Sequence, residues 1–330
     1  MNETPAPGSF LEQYFETMAD DLGDPRVSEV AVNPDGQVWV ERSGATAMAR
    51  SKVTLPPDFV GSLASMIAGA VGAQFGAQKP LVSGRITWRG EAIRAQVVGR
   101  PAVEGAPAIT LRRYRAERHG VGDFEVLSGD LLLGADARQD ALVAVKACLN
   151  ARDFTGAMEL CVARRLNVLI SGGTGSGKTT FARALLDMVA SDERIVTIED
   201  AYELFPRQEN VVAFRSVRVD EGELAPAKLL EATLRMRPDR IVLGELRGGE
   251  AVTFLEALNT GHEGSFSTIH ANSAELALDR LALMVLRTGL NMSFDEVRRY
   301  CRASVDVIVQ VGRADGRRGV FGVHLPQAST

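Results

Sequence analysis

The chain has 330 residues, which is longer than most single compact domains and long enough for two. Hydrophobic residues make up 45% of it and charged residues 24%, proportions typical of a soluble globular protein. The net charge is −5, so the chain lacks the overall basic field that attracts DNA or RNA, and we predict no direct nucleic-acid partner.

The cysteine content and the hydropathy pattern exclude further classes of protein. The three cysteines, Cys148, Cys161 and Cys301, include no close pair, which favours reduced thiols over a disulfide framework or a cysteine zinc site. The opening residues are acidic and lack the basic segment and apolar core of a signal peptide. No uncharged apolar run reaches the roughly 20 residues that span a bilayer. We therefore expect a cytoplasmic protein with at most a peripheral membrane contact.

Residues 1–115 predict a small α+β domain. The apolar spacing predicts helices in two segments, 10–22 and 57–72. Strand-like runs with turns between them occupy residues 27–33, 37–41, 84–88, 92–98 and 107–113.

Residues 116–134 mix charges with glycines and predict a linker. From 135 to 330 helices alternate with short apolar strands, which is typical of a parallel sheet with crossover helices, an α/β fold. The predicted strands are 166–171, 195–198, 240–243 and 265–269, and the predicted helices are 136–150, 157–164, 177–190, 225–236 and 249–260. A hairpin is predicted at the end, from 305–311 and 319–323, with its turn at Asp315 and Gly316.

A phosphate-binding loop is the strongest motif. The run Gly-Gly-Thr-Gly-Ser-Gly-Lys-Thr over residues 172–179 fills every fixed position of G-x-x-x-x-G-K-[ST], between a predicted strand and a predicted helix. Glycines let successive N–H groups surround a phosphate, and the helix directs its positive end at the same anion. We expect a nucleoside triphosphate, most simply ATP, to bind through Gly173, Thr174, Gly175, Ser176, Gly177, Lys178, Thr179 and Thr180.

Such a loop needs carboxylates to order Mg²⁺ and to activate water. Glu199 and Glu245 each end a predicted strand, and strand-end acids in a parallel sheet point to the ligand crevice. The Thr179 hydroxyl is the expected third Mg²⁺ group, and the alternative for either acid is that it caps the next helix. His270 also ends a strand, where it would either sense the γ-phosphate or serve as a structural hydrogen bonder. No Asn-Lys-x-Asp segment is present to read guanine.

Four blocks in order carry a family resemblance: residues 172–180, 197–200, 234–247 and 260–272. They resemble the Walker A, Asp box, Walker B and His box of the secretion traffic ATPases, which drive type II secretion, type IV secretion and pilus dynamics. Residues 27–33, 37–41 and 109–112 are similar to the N-terminal domain of that superfamily. The form Gly-His-Glu-Gly-Ser, followed by Thr-Ile-His-Ala-Asn, resembles the VirB/Trb branch of conjugation and type IV secretion, with the pilus-assembly branch close behind. Residues 1–10 match nothing in the family.

The resemblance implies a C-terminal RecA-like ATPase core behind the smaller N-terminal domain. It also implies a homohexameric ring on the cytoplasmic face of the inner membrane, in contact with other secretion or conjugation components. By position, Lys178 and Thr179 bind phosphate and Mg²⁺, Glu199 and Glu245 activate water or order Mg²⁺, and His270 senses the nucleotide. Arg94 and Arg112 would approach the nucleotide from the N-terminal domain, and Arg235 would act from a neighbouring subunit.

Three functions from different classes follow from these patterns. The first is a mechanoenzyme in which ATP turnover moves the N-terminal domain against the core. The second is a nucleic-acid motor with a RecA-like core, which the acidic net charge and the few tryptophans and tyrosines disfavour. The third is a ring that binds ATP with little turnover, which the presence of both Glu199 and Glu245 disfavours.

Overall fold

The computed structural model describes residues 10–114, 120–123, 137–218 and 222–328. It contains two sheets, one of six strands near the N-terminus and one of seven strands in the C-terminal half. The mixed α/β expectation is confirmed. The predicted linker lies largely outside the described residues, so the domain limits stay a prediction.

The N-terminal sheet is antiparallel throughout and has the order β3-β2-β1-β6-β5-β4. Its strands are β1 Val27–Val32, β2 Gln37–Arg42, β3 Ala49–Thr54, β4 Leu81–Trp88, β5 Glu91–Val98 and β6 Ala108–Arg113, and its helices are α1 Phe10–Glu16, α2 Ala19–Gly23 and α3 Pro57–Ala70. The apolar sides of α1 and α3, including Phe15 and Ile67, pack with Val30 and Ile109 of the sheet into one buried cluster. The single helix predicted at 10–22 is wrong in one respect, because a turn at Thr17 and Met18 divides it.

The C-terminal sheet has the order β13-β12-β7-β11-β10-β8-β9, and every pair in it is parallel except β12 with β13. Its strands are β7 Val168–Ser171, β8 Ile195–Glu199, β9 Val211–Arg215, β10 Arg240–Leu246, β11 Phe266–Ile269, β12 Val307–Ala314 and β13 Arg317–His324. Its helices are α4 Ala137–Asn150, α5 Phe154–Ala163, α6 Lys178–Met188, α7 Pro226–Thr233, α8 Glu250–Leu258, α9 Ala274–Leu286 and α10 Phe294–Ser304.

Both faces of this sheet are covered, which explains why its strands are continuously apolar. Along β7, Leu169 belongs to one buried cluster, while Val168 and Ile170 belong to the other, as the alternation of side chains in a strand requires. The predicted terminal hairpin is confirmed, with its turn at Asp315 and Gly316, both at positive φ.

Polar contacts join the two sheets. Arg194, fully buried just before β8, donates to Oδ1 of Asn33 at 2.7 Å and also to Oδ1 of Asn210. Arg237 pairs with Glu41 of β2 at 2.7 Å. The N–H of Arg215 donates to the carbonyl of Ala102 at 2.8 Å.

Within the described ranges, no helix has the length and apolarity that crossing a lipid bilayer would require.

Candidate active site

The phosphate-binding loop connects the end of β7 to the start of α6, in the middle of the seven-stranded sheet. Gly177 immediately precedes α6 with a φ of 98°, a conformation that a side chain strains. At Gly172 a Cβ atom would lie 2.4 Å from the carbonyl oxygen of Val311, so only glycine fits beside β12. The glycines of the motif are therefore needed for both the turn and the close strand packing.

Lys178 is folded back onto this loop. Its Nζ donates to the carbonyls of Gly172 and Gly173 at 3.0 and 2.9 Å, and its side chain is almost fully buried. Burial lowers the pKa of Lys178, while the charge of Glu245 acts in the opposite direction. A phosphate entering the loop would replace neutral carbonyls with a charged partner for this ammonium group.

The loop borders a cavity of about 540 Å³, which we call the nucleotide cavity. Its lining includes the predicted Thr174, Gly175, Ser176, Gly177, Lys178, Thr179, Thr180, Glu199, Glu245 and His270, together with Asp200, Arg247 and Arg318. Gly173 contributes its carbonyl to Lys178. The strand order explains the convergence. His270 directly follows β11, Glu245 is near the end of β10 and Glu199 ends β8, and these three strands lie in this order beside the loop strand β7.

Glu199 is the more firmly anchored of the two acids. One of its oxygens, Oε2, accepts the N–H groups of Glu203 at 2.8 Å and Leu204 at 3.0 Å. Burial raises the pKa of Glu199, and these two backbone N–H groups work against that rise.

The carboxylate of Glu245 has a side-chain partner at each of its two oxygens. Arg247 Nη2 donates to its Oε2 at 2.5 Å, and Nε2 of His270 lies 3.2 Å from its Oε1. Burial lowers the pKa of His270, and the charges of Lys178 and Arg247 add to that effect against the attraction of Glu245. We therefore expect His270 to be neutral near pH 7, so that its contact with the carboxylate is not an ion pair.

The oxygens in this cavity fit Mg²⁺. The Thr179 hydroxyl and the carboxylates of Glu199 and Glu245 line one space with the lysine, and hard oxygen donors are what Mg²⁺ prefers.

The three predicted arginines lie elsewhere. Arg94, Arg112 and Arg235 line a second cavity of about 380 Å³, the arginine pocket, together with Glu29, Arg165, Arg237, Asp239 and His262. Arg94 and Arg112 sit opposite each other on β5 and β6, an arrangement in which like charges repel. Arg94 rests over the ring of Tyr114, and Arg235 donates to the carbonyl of Glu231. All three residues are exposed, so their guanidinium groups are accessible to an incoming anion.

The two cavities lie at opposite ends of β10. Asp239, in the arginine pocket, precedes its first residue, while Glu245, in the nucleotide cavity, is its second-last. Seven residues at about 3.3 Å each place the ends of this strand about 20 Å apart. Within one chain, the structure does not bring Arg94, Arg112 or Arg235 to the phosphate loop.

Two residues of the nucleotide cavity were not predicted from the sequence. No role is predicted for Arg247 from the sequence, and the structure identifies it by its contact with Glu245 in the nucleotide cavity. Arg318 comes from β13, whose position beside the loop depends on the pairing of the terminal hairpin with β7. No local pattern marks either of them.

Comparisons with known proteins agree with this geometry. Residues 142–313 match the family described as Type II/IV secretion system protein. The conjugal transfer protein TrbB of Rhizobium radiobacter is 32% identical over 308 residues, covering 92% of this chain and 85% of that protein. The type IV secretion system protein VirB11 of Brucella suis biovar 1 is 35% identical over 311 residues, covering 90% and 84%. The crystal structure of the VirB11 ATPase from Brucella suis, in complex with sulphate, matches with a TM-score of 0.83 at 33% identity, covering 96% of this chain and 98% of that one.

The parallel sheet, its phosphate loop and its strand-end glutamates define a P-loop ATPase with a RecA-like core behind a smaller N-terminal domain. The chain belongs to the type II/IV secretion system protein family, in the branch of VirB11 and TrbB. It is an ATPase of the type IV secretion and conjugal transfer class.

Proposed function

We propose that this ATPase is a homohexameric motor that hydrolyses ATP in the nucleotide cavity and works at the cytoplasmic face of the inner membrane. The observation that carries the proposal is the convergence of Lys178, Thr179, Glu199, Glu245 and His270 on one cavity at the carboxyl ends of four neighbouring strands. The related proteins VirB11 and TrbB are named for type IV secretion and conjugal transfer. The partners of this chain in the proposal are therefore other components of such a machine.

Each residue of the nucleotide cavity has a distinct role in this proposal. Lys178 leaves the carbonyls of Gly172 and Gly173 and contacts the β- and γ-phosphates, while the loop N–H groups bind the phosphate oxygens. Glu245 accepts the proton of the attacking water. His270, 3.2 Å from Glu245, orients that carboxylate and contacts the γ-phosphate region.

Mg²⁺, when bound, would neutralise charge on the β- and γ-phosphates. Thr179 and Glu199 would hold it, and Glu245 would reach it through water. Glu199 suits this holding role, because its backbone hydrogen bonds to Glu203 and Leu204 fix the carboxylate while leaving its other oxygen for the cavity.

The arginine pocket completes the site of a neighbouring subunit. Arg94, Arg112 and Arg235 are exposed and converge, yet their own phosphate loop lies about 20 Å away along β10. A head-to-tail ring brings one surface of each subunit against a different surface of the next. In such a ring these arginines would face the phosphates held by the adjacent chain and stabilise charge in the transition state.

The test of the ATPase site is the substitution Lys178→Ala, with Lys146→Ala as the matched control because Lys146 is an exposed residue on α4. We expect K178A to lose at least about a hundredfold in ATP turnover, the effect of removing one preorganised charged donor. The measurements are phosphate release and thermal unfolding. Wild-type turnover in K178A, or an equal loss of turnover in K146A, would contradict the assignment of the phosphate site.

Sizing the protein by light scattering with and without ATP tests the ring. A monomer at all concentrations in the presence of ATP would contradict the hexamer. A turnover that DNA stimulates with a steep salt dependence would instead favour a nucleic-acid motor.

A further inference from the structure

We infer that Arg247 is a γ-phosphate sensor that holds the base Glu245 until a nucleoside triphosphate binds. The guanidinium of Arg247 is bound to Glu245 in this structure, and when a triphosphate binds it exchanges that carboxylate for the γ-phosphate. This inference rests on the proposed function, in which Glu245 accepts the proton of water.

The carboxylate of Glu245 is engaged at both oxygens. Arg247 Nη2 lies 2.5 Å from Oε2, and Nε2 of His270 lies 3.2 Å from Oε1. The side chain of Glu245 is only 14% exposed, so its oxygens have little access to bulk water. A general base must receive its proton within hydrogen-bond distance of the water, and Arg247 occupies that position at Oε2.

Arg247 has a fixed backbone and a half-exposed side chain. Its own N–H donates to Oε1 of Glu250 at 2.8 Å, and the N–H of Gly248 donates to the same oxygen at 3.1 Å. The Arg247 side chain is 48% exposed and lines the nucleotide cavity. The guanidinium can therefore change partners without moving the end of β10.

The neighbouring charges keep partners after the exchange. Besides Glu245, Arg247 contacts Asp200 at 3.4 Å, but Asp200 has a closer partner in Nε of Arg218 at 2.7 Å. Arg218 also pairs with Glu250 at 3.0 Å. When Arg247 leaves, Asp200 retains Arg218 and Glu245 retains His270, so neither carboxylate is left alone.

The γ-phosphate is the new partner that suits the guanidinium of Arg247. Water attacks the γ-phosphorus, so the base that activates this water, and the arginine bound to that base, must both lie at the γ end of the nucleotide. A guanidinium binds phosphate through two parallel hydrogen bonds, and the γ-phosphate offers more negative charge than one carboxylate. ADP lacks this group, so the Arg247–Glu245 pair stays closed with ADP.

The experiment measures equilibrium binding of ADP and of the non-hydrolysable analogue adenylyl imidodiphosphate, each with Mg²⁺, to the full chain. The variants are Arg247→Gln, Arg247→Lys, Glu245→Gln and the double variant R247Q/E245Q. The matched control is Arg287→Gln, an exposed arginine at the end of α9.

We expect R247Q to weaken analogue binding by about ten- to a hundredfold, as the loss of charged hydrogen bonds implies, and to change ADP affinity by no more than about twofold. R247K should recover part of the analogue affinity, because it keeps the charge and loses the bidentate geometry. E245Q should bind the analogue more tightly than wild type because it removes the competing anion, and this gain should disappear in the R247Q background. R287Q should match wild type.

An equal loss for both nucleotides in R247Q would overturn the inference, since it would mean that Arg247 only shapes the cavity. Unchanged analogue affinity in R247Q would overturn it as well. Hydrolysis is read separately: wild-type turnover in E245Q would refute the role of Glu245 in the proposed function, whatever the analogue measurements show for Arg247.

Discussion

Mixing two inactive variants tests whether each active site is shared between subunits. One variant is Lys178→Ala, which loses the phosphate loop, and the other is the double variant Arg112→Ala/Arg235→Ala, which loses the arginine pocket. We expect both to be inactive as pure proteins. An arginine that stabilises the transition state contributes about 10³- to 10⁵-fold to turnover, and the lysine is needed for phosphate binding.

The structure sets the expected size of the recovery. Since about 20 Å of β10 separates the two cavities, a chain's own arginines cannot complete its own site. In a ring assembled at random from equal amounts, a site is intact only when its loop comes from an R112A/R235A chain and its arginines come from a K178A chain. Each condition is met about half the time, so about a quarter of the sites in a cyclic assembly are complete.

The assay is phosphate release from rings co-expressed with two affinity tags and purified on both. The matched control mixes K178A with Glu245→Gln, because Lys178 and Glu245 line the same cavity of the same chain and no mixed site regains both. We expect about a quarter of wild-type turnover in the first mixture and background in the second. Background in both mixtures, or equal recovery in both, would refute the shared site.

The elements that position the phosphate site were predictable because their signals are local. A glycine-rich loop between an apolar strand and a helix, and acids at strand ends, occupy fixed spacings that do not depend on distant contacts. Strands β3 and β9 were not predicted. The residues of β3 are exposed or half-buried, so this strand lacks the apolar run by which the others were recognised.

Helices α9 and α10 were also missed, although capping signals mark them. Ser273 accepts the N–H of Leu276 at the start of α9, and Ser293 forms a capping box with Glu296 at the start of α10. Apart from the family resemblance, no pattern in the sequence assigns a role to the arginines. Whether Arg94, Arg112, Arg235 or Arg247 reaches a phosphate depends on which end of β10 it faces, and that is decided by pairing between strands far apart in the chain.

Two further predictions concern the contacts between the sheets and the arginine pocket. Arg194→Met should lower the free energy of unfolding by about 3 kcal/mol in urea titrations, because it leaves the buried acceptors of Asn33 and Met236 without their donor, while Oδ1 of Asn210 keeps only Nδ2 of Asn33; an unchanged midpoint would contradict this. Glu29 is only 4% exposed, and burial raises its pKa from 4.5 to about 7 in spite of nearby Arg112. The folded chain then binds this proton more tightly than the unfolded chain, so its contribution to stability is full below pH 4.5 and is lost as the pH rises through about 7. Glu29→Gln removes this titration. The free energy of unfolding of the variant, relative to that of wild type, should therefore rise by about 3 kcal/mol between pH 4.5 and pH 8 in urea titrations. Parallel pH profiles of the two proteins would refute the raised pKa of Glu29.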